Sequence, residues 1–188
     1  GATLSADGAV VHASPFAALS FGERDKGCAP RPALTALAEA IKGAGIDGGL
    51  HTDIIQDMWD KWVMLGTMAS MTCAMRAPVG DILATMDGEA LMRETIAECR
   101  QVADAAGHSL SDGALKAIES IVLAQGSLFA ASLLHDLERG GKVEAAHIVG
   151  DLLARARAAG IATPNLRFAY AHLQAYERRR LRENISES

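Results

Sequence analysis

Short apolar runs and one helical repeat occupy the first fifty residues of the chain. The runs at residues 9–13 and 18–22 predict two strands that pair with each other. Residues 32–42 repeat their apolar positions at helical spacing, and the glycines that follow are interpreted as turn formers, namely Gly43, Gly45, Gly48 and Gly49. Two strands and one helix cannot bury a core of their own. We therefore expect this segment to be the tail of a larger α/β unit and the chain to be a piece of a longer protein.

From Asp53 onward, apolar residues recur at three- and four-residue spacing, which predicts helices throughout. Caps, glycines and prolines divide this stretch into six predicted helices, at residues 53–75, 87–106, 111–128, 133–139, 144–159 and 164–182. Helices joined by short turns form an all-α domain. The sequence thus predicts two domains, residues 1–52 and residues 53–188.

Composition and charge narrow the class of protein. Apolar residues make up 49% of the chain and aromatic residues only 4%, which favours packed helices over sheets. The formal net charge of −5 gives no reason to expect a nucleic acid or an anionic membrane as partner. The three cysteines are too widely spaced for a disulfide framework or a zinc site, so we expect a reducing, cytoplasmic setting.

A lone lysine stands out on the first long helix. Helical spacing places Lys61 on one face with Leu65, Met68, Ala69, Thr72 and Arg76. On an apolar face, desolvation lowers the pKa of a lysine and a nearby carboxylate restores it, and either state can protonate a carbonyl oxygen. The alternative is a lysine whose ammonium simply reaches solvent.

Two further positions could carry chemistry. Ser132 follows two alanines that could admit a ligand, although a serine four residues before Asp136 can equally be a helix cap. Glu144 opens the next predicted helix, where its carboxylate is expected to be buried, although the helix dipole alone also favours a carboxylate there. With His147 it forms a Glu-x-x-His pair, half of a di-iron signature, but a second copy is absent from the sequence, so no metal site is predicted.

These residues together resemble the C-terminal domain of the ketopantoate reductase (2-dehydropantoate 2-reductase) family. The resemblance is carried by Trp59-x-Lys61, Ser132-x3-Asp136-x7-Glu144-x5-Gly150 and Gly160-Ile161-x-Thr163-Pro164. Residues 7–23 resemble the end of the family's N-terminal domain. The resemblance implies a mainly α fold, with a helical domain like the C-terminal domain of 6-phosphogluconate dehydrogenase. A short β/α remnant of a Rossmann domain would precede it.

The resemblance also implies an activity, namely reduction of a 2-keto acid by hydride from NADPH in pantothenate biosynthesis. The reaction would take place in a cleft between a Rossmann domain and the helical domain. By position, Lys61 is implied to be the general acid, Ser132 a hydroxyl that binds the substrate, and Glu144 a carboxylate that contacts the cofactor.

The sequence departs from the family pattern at three positions. Leu65, Ala69 and Val79 stand where the family usually has asparagines. An apolar site cannot select a polar substituent strongly. We therefore expect a 2-keto acid less hydroxylated than ketopantoate, its carboxylate held by Arg76 or Thr72.

The sequence does not contain the glycine-rich dinucleotide fingerprint that follows a first strand. We therefore expect the isolated chain to be inactive, or nearly so, without a nucleotide-binding half. The alternative is a stand-alone helical module that dimerises or binds a partner and has no redox activity. Alanine-rich helix faces would serve such a homodimer.

Overall fold

The computed structural model describes residues 2–5, 7–12 and 18–186 and divides the chain into two compact units, residues 1–57 and 58–188. The first unit contains four strands and a helix: β1 (Ala2–Leu4), β2 (Val10–His12), β3 (Ala18–Gly22), α1 (Pro32–Gly43) and β4 (Asp47–His51). β1 and β2 form an antiparallel pair. β3 and β4 form a parallel pair with α1 between them in the chain.

The two predicted strands are present, but the prediction that they pair with each other is wrong. β2 pairs with β1 through a tight turn in which Gly8 has a φ of +84° and donates its N–H to the carbonyl of Ser5. β3 instead pairs with β4, because the intervening helix α1 provides the crossover that parallel strands require. Residue 13 of the first predicted strand lies outside the described residues.

β4 was missed because it is rich in glycine. Gly48 and Gly49, which the sequence led us to interpret as turn formers, are strand residues with φ values of +99° and +141°. A Cβ atom at Gly48 would lie 2.5 Å from the carbonyl oxygen of Leu19 in β3. Glycine at this position therefore lets the two strands approach each other.

The second unit is helical, as predicted from the sequence. Its elements are α2 (Ile54–Met75, which begins in the first unit), α3 (Val79–Leu83), α4 (Gly88–Ala105), α5 (Asp112–Val122), α6 (Ser132–Glu138), a π-helical turn (Ala146–Gly150), α7 (Asp151–Ala158) and α8 (Pro164–Ser186). The sequence predicts caps at Asp53, at Asp87 and at Ser111 or Asp112. Asp53 Oδ1 accepts the N–H of Gln56 and Ser111 Oγ accepts the N–H of Ala114, whereas Asp87 forms no side-chain cap hydrogen bond. No described helix is long and apolar enough to cross a membrane.

One predicted helix is too long and one short helix was missed. The helix predicted to reach residue 128 ends at Val122, and a loop follows. The carbonyls of Ser127 and Phe129 in this loop accept the N–H groups of Gly80 and Val79 at 2.8 and 3.0 Å. The loop thus provides acceptors for the N–H groups at the start of α3, which have none within that helix. The chain forms this loop in place of a longer α5.

α2 lies at the centre of the second unit. Every residue from 66 to 73 is buried, so this part of the helix is covered on all sides. Gly66 permits close contact with α7, since a Cβ there would lie 2.3 Å from Cδ1 of Leu152. The packing of α2 therefore determines where the flanking segments lie.

Candidate active site

Lys61 lies on α2 just before the helix enters the core. Its side chain is exposed, whereas Val63 two residues later is completely buried. Of the two interpretations of Lys61, a side chain that reaches solvent is therefore the one that the structure shows, although Trp59 and Val63 on either side of it are buried. The ammonium is therefore accessible from solvent.

Aromatic rings and a cation surround the start of α2. The rings of Trp59 and Trp62 lie 4.9 Å apart, and the imidazole of His108 stacks on Trp59 at 5.2 Å. The guanidinium of Arg155 on α7 lies 5.3 and 5.4 Å from the two indole rings. Cation–π contact of this kind holds a cation close to the helix turn that carries Lys61.

Trp62 also connects α2 to the segment that follows Glu144. Its indole Nε1–H donates to the carbonyl of Ile148 at 3.0 Å. Ile148 belongs to the π-helical turn, whose wider hydrogen-bond ring is uncommon in proteins and occurs often at functional sites. Sequence analysis missed this role of Trp62, although a half-buried indole N–H always needs an acceptor.

Glu144 immediately precedes this helical segment, and its side chain is exposed. The sequence suggested a buried carboxylate at this position, and the structure shows the opposite. Gly150 at the end of the π-helical turn lies against Tyr170, whose ring atoms would be 2.8–2.9 Å from a Cβ at that position. Packing against Tyr170 therefore explains why the sequence pattern has a glycine at position 150.

α8 fixes the loop that leads to Glu144. The hydroxyl of Tyr176 donates to the carbonyl of Gly141 at 2.7 Å, and Glu177 Oε1 accepts the N–H of Val143 at 2.7 Å. Burial raises the pKa of Glu177, but the bond from Val143 and the nearby Arg180 outweigh it, and the net pKa is lowered. The carboxylate is thus ionised and bonded to the loop at neutral pH.

Ser132 is the first residue of α6, and its side chain is exposed. The N-cap position belongs to Ala131, and no side-chain cap hydrogen bond is formed there, so the capping interpretation of Ser132 is wrong. The backbone N–H of Ala131 donates to Thr72 Oγ1 on α2 at 3.4 Å. α2 therefore positions the start of α6 as well as the π-helical turn.

Thr72 is completely buried, and its hydroxyl is used within the chain. It donates to the carbonyl of Met68 at 2.7 Å and accepts from Ala131. This burial does not support the predicted contact between Thr72 and a substrate carboxylate. The geometry instead gives Thr72 a role in placing Ser132.

Arg76 terminates α2 with a φ of +54°, a left-handed conformation that is more usual for glycine. The N–H of Ala77 donates to the carbonyl of Thr72 at 3.2 Å, which completes a Schellman cap. With about 1.5 Å of rise per residue, Arg76 lies about 22 Å from Lys61 along the helix axis. One small keto acid does not span that distance, so the structure does not bring Arg76 and Lys61 to one site.

The positions that replace the family's asparagines are largely internal. Ala69 and Val79 are buried, at 1% and 0% exposure, whereas Leu65 is half-buried one turn after Lys61. Of these three residues, Leu65 is therefore the one that can border a substrate near the lysine.

The described residues contain no group of three or more His, Cys, Asp or Glu side chains that could hold a metal ion. Burial raises the pKa of the Cys73 and Cys99 thiols to about 12, so neither is a nucleophile at neutral pH. Lys61, Ser132 and Glu144 therefore stay predictions of the sequence, each with an exposed side chain.

Comparison with known proteins gives the same family as the sequence pattern. The family model described as the C-terminal domain of ketopantoate reductase PanE/ApbA matches residues 53–177. The uncharacterized oxidoreductase YkpB of Bacillus subtilis is 29% identical over 178 residues, which cover 93% of this chain and 57% of YkpB.

Solved structures agree with this match. The PanE/ApbA family ketopantoate reductase of Ralstonia eutropha superposes with a TM-score of 0.82 at 24% identity, covering 96% of this chain and 58% of that protein. The 2-dehydropantoate 2-reductase of Methylococcus capsulatus superposes with a TM-score of 0.80 at 28% identity, covering 96% of this chain and 61% of that protein. The chain thus spans less than two-thirds of the length of these relatives.

Proposed function

Because the chain belongs to the ketopantoate reductase family, we propose that it is the catalytic, helical part of an NADPH-dependent reductase of 2-keto acids. The observation that carries the proposal is the pair of hydrogen bonds by which α2 positions two other segments. Trp62 bonds to Ile148 after Glu144, and Thr72 bonds to Ala131 before Ser132. These two bonds support the proposal, because they tie the segments that carry Glu144 and Ser132 to the helix that carries Lys61.

Lys61 is the proton donor in this proposal. NADPH, when bound, supplies the hydride that reaches the keto carbon. The Lys61 ammonium donates a hydrogen bond to the keto oxygen and transfers a proton as negative charge develops there. Its exposed position on α2 is compatible with a substrate that binds against the surface of this helix.

Ser132 is the hydroxyl that binds the substrate. It is exposed at the first position of α6, and the bond from Ala131 to Thr72 ties the preceding residue to α2. A hydroxyl can both donate and accept, so Ser132 can bond a carboxylate oxygen or the keto oxygen.

We assign Glu144 to the contact with the nicotinamide cofactor. Its carboxylate is exposed, and the loop before it is held by Tyr176 and Glu177. A carboxylate accepts N–H and O–H donors, which a nicotinamide carboxamide and a ribose both present. The remainder of the cofactor site is assigned to a nucleotide-binding unit joined to this chain.

The substrate class follows from Leu65. One turn beyond Lys61, this side chain offers no hydrogen bond to a substrate hydroxyl. We therefore assign a 2-keto acid with an apolar side chain, such as 3-methyl-2-oxobutanoate, in preference to ketopantoate.

The proposal is tested on the complete reductase that contains this chain, by comparing kcat/KM for ketopantoate and 3-methyl-2-oxobutanoate. We expect the apolar substrate to be preferred. Leu65→Asn should raise the ratio of ketopantoate to 3-methyl-2-oxobutanoate by about tenfold, since one good hydrogen bond is about 1.4 kcal/mol. Leu65→Ala is the matched control, because it removes the same side chain without adding an amide. An unchanged ratio in Leu65→Asn would rule out this substrate assignment.

A further inference from the structure

A tight turn ends α6 and leads the chain toward Glu144. The N–H of Gly141 donates to the carbonyl of Asp136 at 2.8 Å, and the N–H of Gly140 donates to that of Leu137 at 3.3 Å. Together these bonds form a Schellman motif, in which Gly140 takes the left-handed conformation with a φ of +74°. The motif uses the N–H of Gly141 and leaves its carbonyl available to a different element.

Two neighbouring side chains of α8 bond to the backbone that follows this turn. The hydroxyl of Tyr176 donates to the carbonyl of Gly141, and Glu177 Oε1 accepts the N–H of Val143, both at 2.7 Å. Burial raises the pKa of Tyr176, so its hydroxyl keeps the proton that it donates. The backbone before Glu144 is therefore held at two points.

α8 is itself held in place at its start. The two carboxylate oxygens of Glu98 on α4 accept the N–H groups of Asn165 and Leu166, both at 2.9 Å. Further along α8, Leu173 is completely buried. Because α8 is fixed by these bonds and by its buried face, the side chains of Tyr176 and Glu177 bond the loop to a well-anchored helix.

These bonds also determine the direction of the Glu144 side chain. Val143 and Ala145 are each only 5% exposed, whereas Glu144 between them is exposed. A rotation of the backbone that turned Glu144 inward would bring the Val143 side chain into water and break its N–H bond to Glu177. The loop therefore presents the carboxylate of Glu144 to solvent as long as α8 holds it.

We propose that Tyr176 is a positioning residue for Glu144, and that its bond to Gly141, with the Glu177–Val143 bond, sets the affinity of the complete reductase for NADPH. The inference rests on the proposed contact between Glu144 and the nicotinamide cofactor. A loop that spends part of its time away from the binding position weakens the apparent affinity in proportion. The loss of one net hydrogen bond corresponds to about fivefold.

Tyr176→Phe removes the hydroxyl and keeps the ring. In the complete reductase, the Kd of NADPH from a fluorescence titration should rise about fivefold, while KM for 3-methyl-2-oxobutanoate stays within about twofold. In the absence of NADPH, amide hydrogen exchange should become faster in residues 139–145 and stay unchanged in α4. Tyr170→Phe is the matched control, because the Tyr170 ring lies against Gly150 and its loss of a hydroxyl should leave the Kd unchanged.

A double-mutant cycle separates positioning from a general effect on the fold. Tyr176→Phe should not change the Kd of NADPH in a Glu144→Ala enzyme, since its effect passes through Glu144. Glu177→Met removes the acceptor of the Val143 N–H and should also weaken NADPH binding, which keeps the test valid if Tyr176→Phe does not fold.

Two results would overturn this inference alone. One is a native Kd of NADPH in folded Tyr176→Phe or Glu177→Met enzyme, when Glu144→Ala does weaken binding. The other is an equal rise of the Kd on Tyr176→Phe with and without Glu144, because the hydroxyl would then act on the fold in general. A Glu144→Ala enzyme with native NADPH affinity would instead overturn the proposed cofactor contact, and this inference with it.

Discussion

The indole N–H of Trp62 donates to the carbonyl of Ile148 at 3.0 Å, so the residue next to Lys61 is bonded to the turn that follows Glu144. These residues are far apart in sequence, and the bond brings a candidate proton donor and a candidate cofactor ligand into one framework. The acceptor belongs to a π-helical turn, a rare element that often lies at functional sites. The predictions below test this framework and its consequences.

Trp62→Phe keeps an aromatic ring but removes the donor to Ile148. We expect the free energy of unfolding to fall by about 1–2 kcal/mol, from the lost hydrogen bond and a weaker contact with Arg155. Because the turn after Glu144 is loosened, kcat of the complete reductase should fall as well. Arg155→Gln is the control, since it removes the cation and leaves the Ile148 bond. Equal kcat values in the two variants would exclude a positioning role for Trp62.

Thr72→Val removes the hydroxyl that accepts the N–H of Ala131 and preserves the shape of the side chain. A buried N–H is then left without a partner, so unfolding by urea should show a loss of about 1–3 kcal/mol. Thr72→Ser retains the hydroxyl and should recover most of the loss. If Thr72 acts only through the start of α6, KM should respond to Thr72→Val more than to Thr72→Ser. Equal effects of the two variants on stability would show that the hydroxyl does not hold Ala131.

Arg76→Gly should stabilise the chain, because glycine adopts the left-handed conformation of this C-cap without strain. We expect a gain of about 0.5–1 kcal/mol in thermal or urea unfolding, after the entropy that glycine adds to the unfolded chain. Arg76→Ala keeps the strain and should give no gain. If the guanidinium held a substrate carboxylate, both variants would raise KM of the complete reductase; the distance from Lys61 predicts that neither does.

Lowering the pH should destabilise the loop before Glu144, because it protonates Glu177. The folded-state pKa of Glu177 lies below its ordinary value of 4.5, so its contribution to stability is present above that value and is lost as pH falls through the folded pKa. The stability difference between the native chain and Glu177→Gln should therefore be larger at pH 7 than near pH 3.

Glu98 provides the opposite control. Its carboxylate accepts the N–H groups of Asn165 and Leu166 at the start of α8, both at 2.9 Å, but burial raises its pKa. Its contribution is therefore present below the ordinary pKa and is lost as pH rises through the folded pKa. The stability difference between the native chain and Glu98→Gln should thus change with pH in the direction opposite to that of the Glu177 pair. The same pH trend in both pairs would contradict the assignment.

The sequence predicted that the second unit is helical, because apolar spacing and caps such as Asp53 and Ser111 are local signals. It did not predict β4, since a strand containing Gly48 and Gly49 depends on close contact with Leu19 rather than on propensity. It left the environment of Lys61 open and suggested a buried Glu144, because helical spacing does not tell whether a given position is exposed. The bonds of Trp62 and Thr72 to distant backbone atoms have no local signature at all.

The most direct test of the account is kcat of Lys61→Met in the complete reductase, with 3-methyl-2-oxobutanoate and NADPH at saturation. The substitution keeps the length of the side chain and removes the proton donor, so kcat should fall at least about 100-fold. NADPH affinity and the urea midpoint should stay unchanged. Lys116→Met is the matched control, because Lys116 is an exposed lysine on α5, and it should retain full activity. A Lys61→Met enzyme that turns over within about threefold of the native rate would contradict the assignment of Lys61 as the general acid.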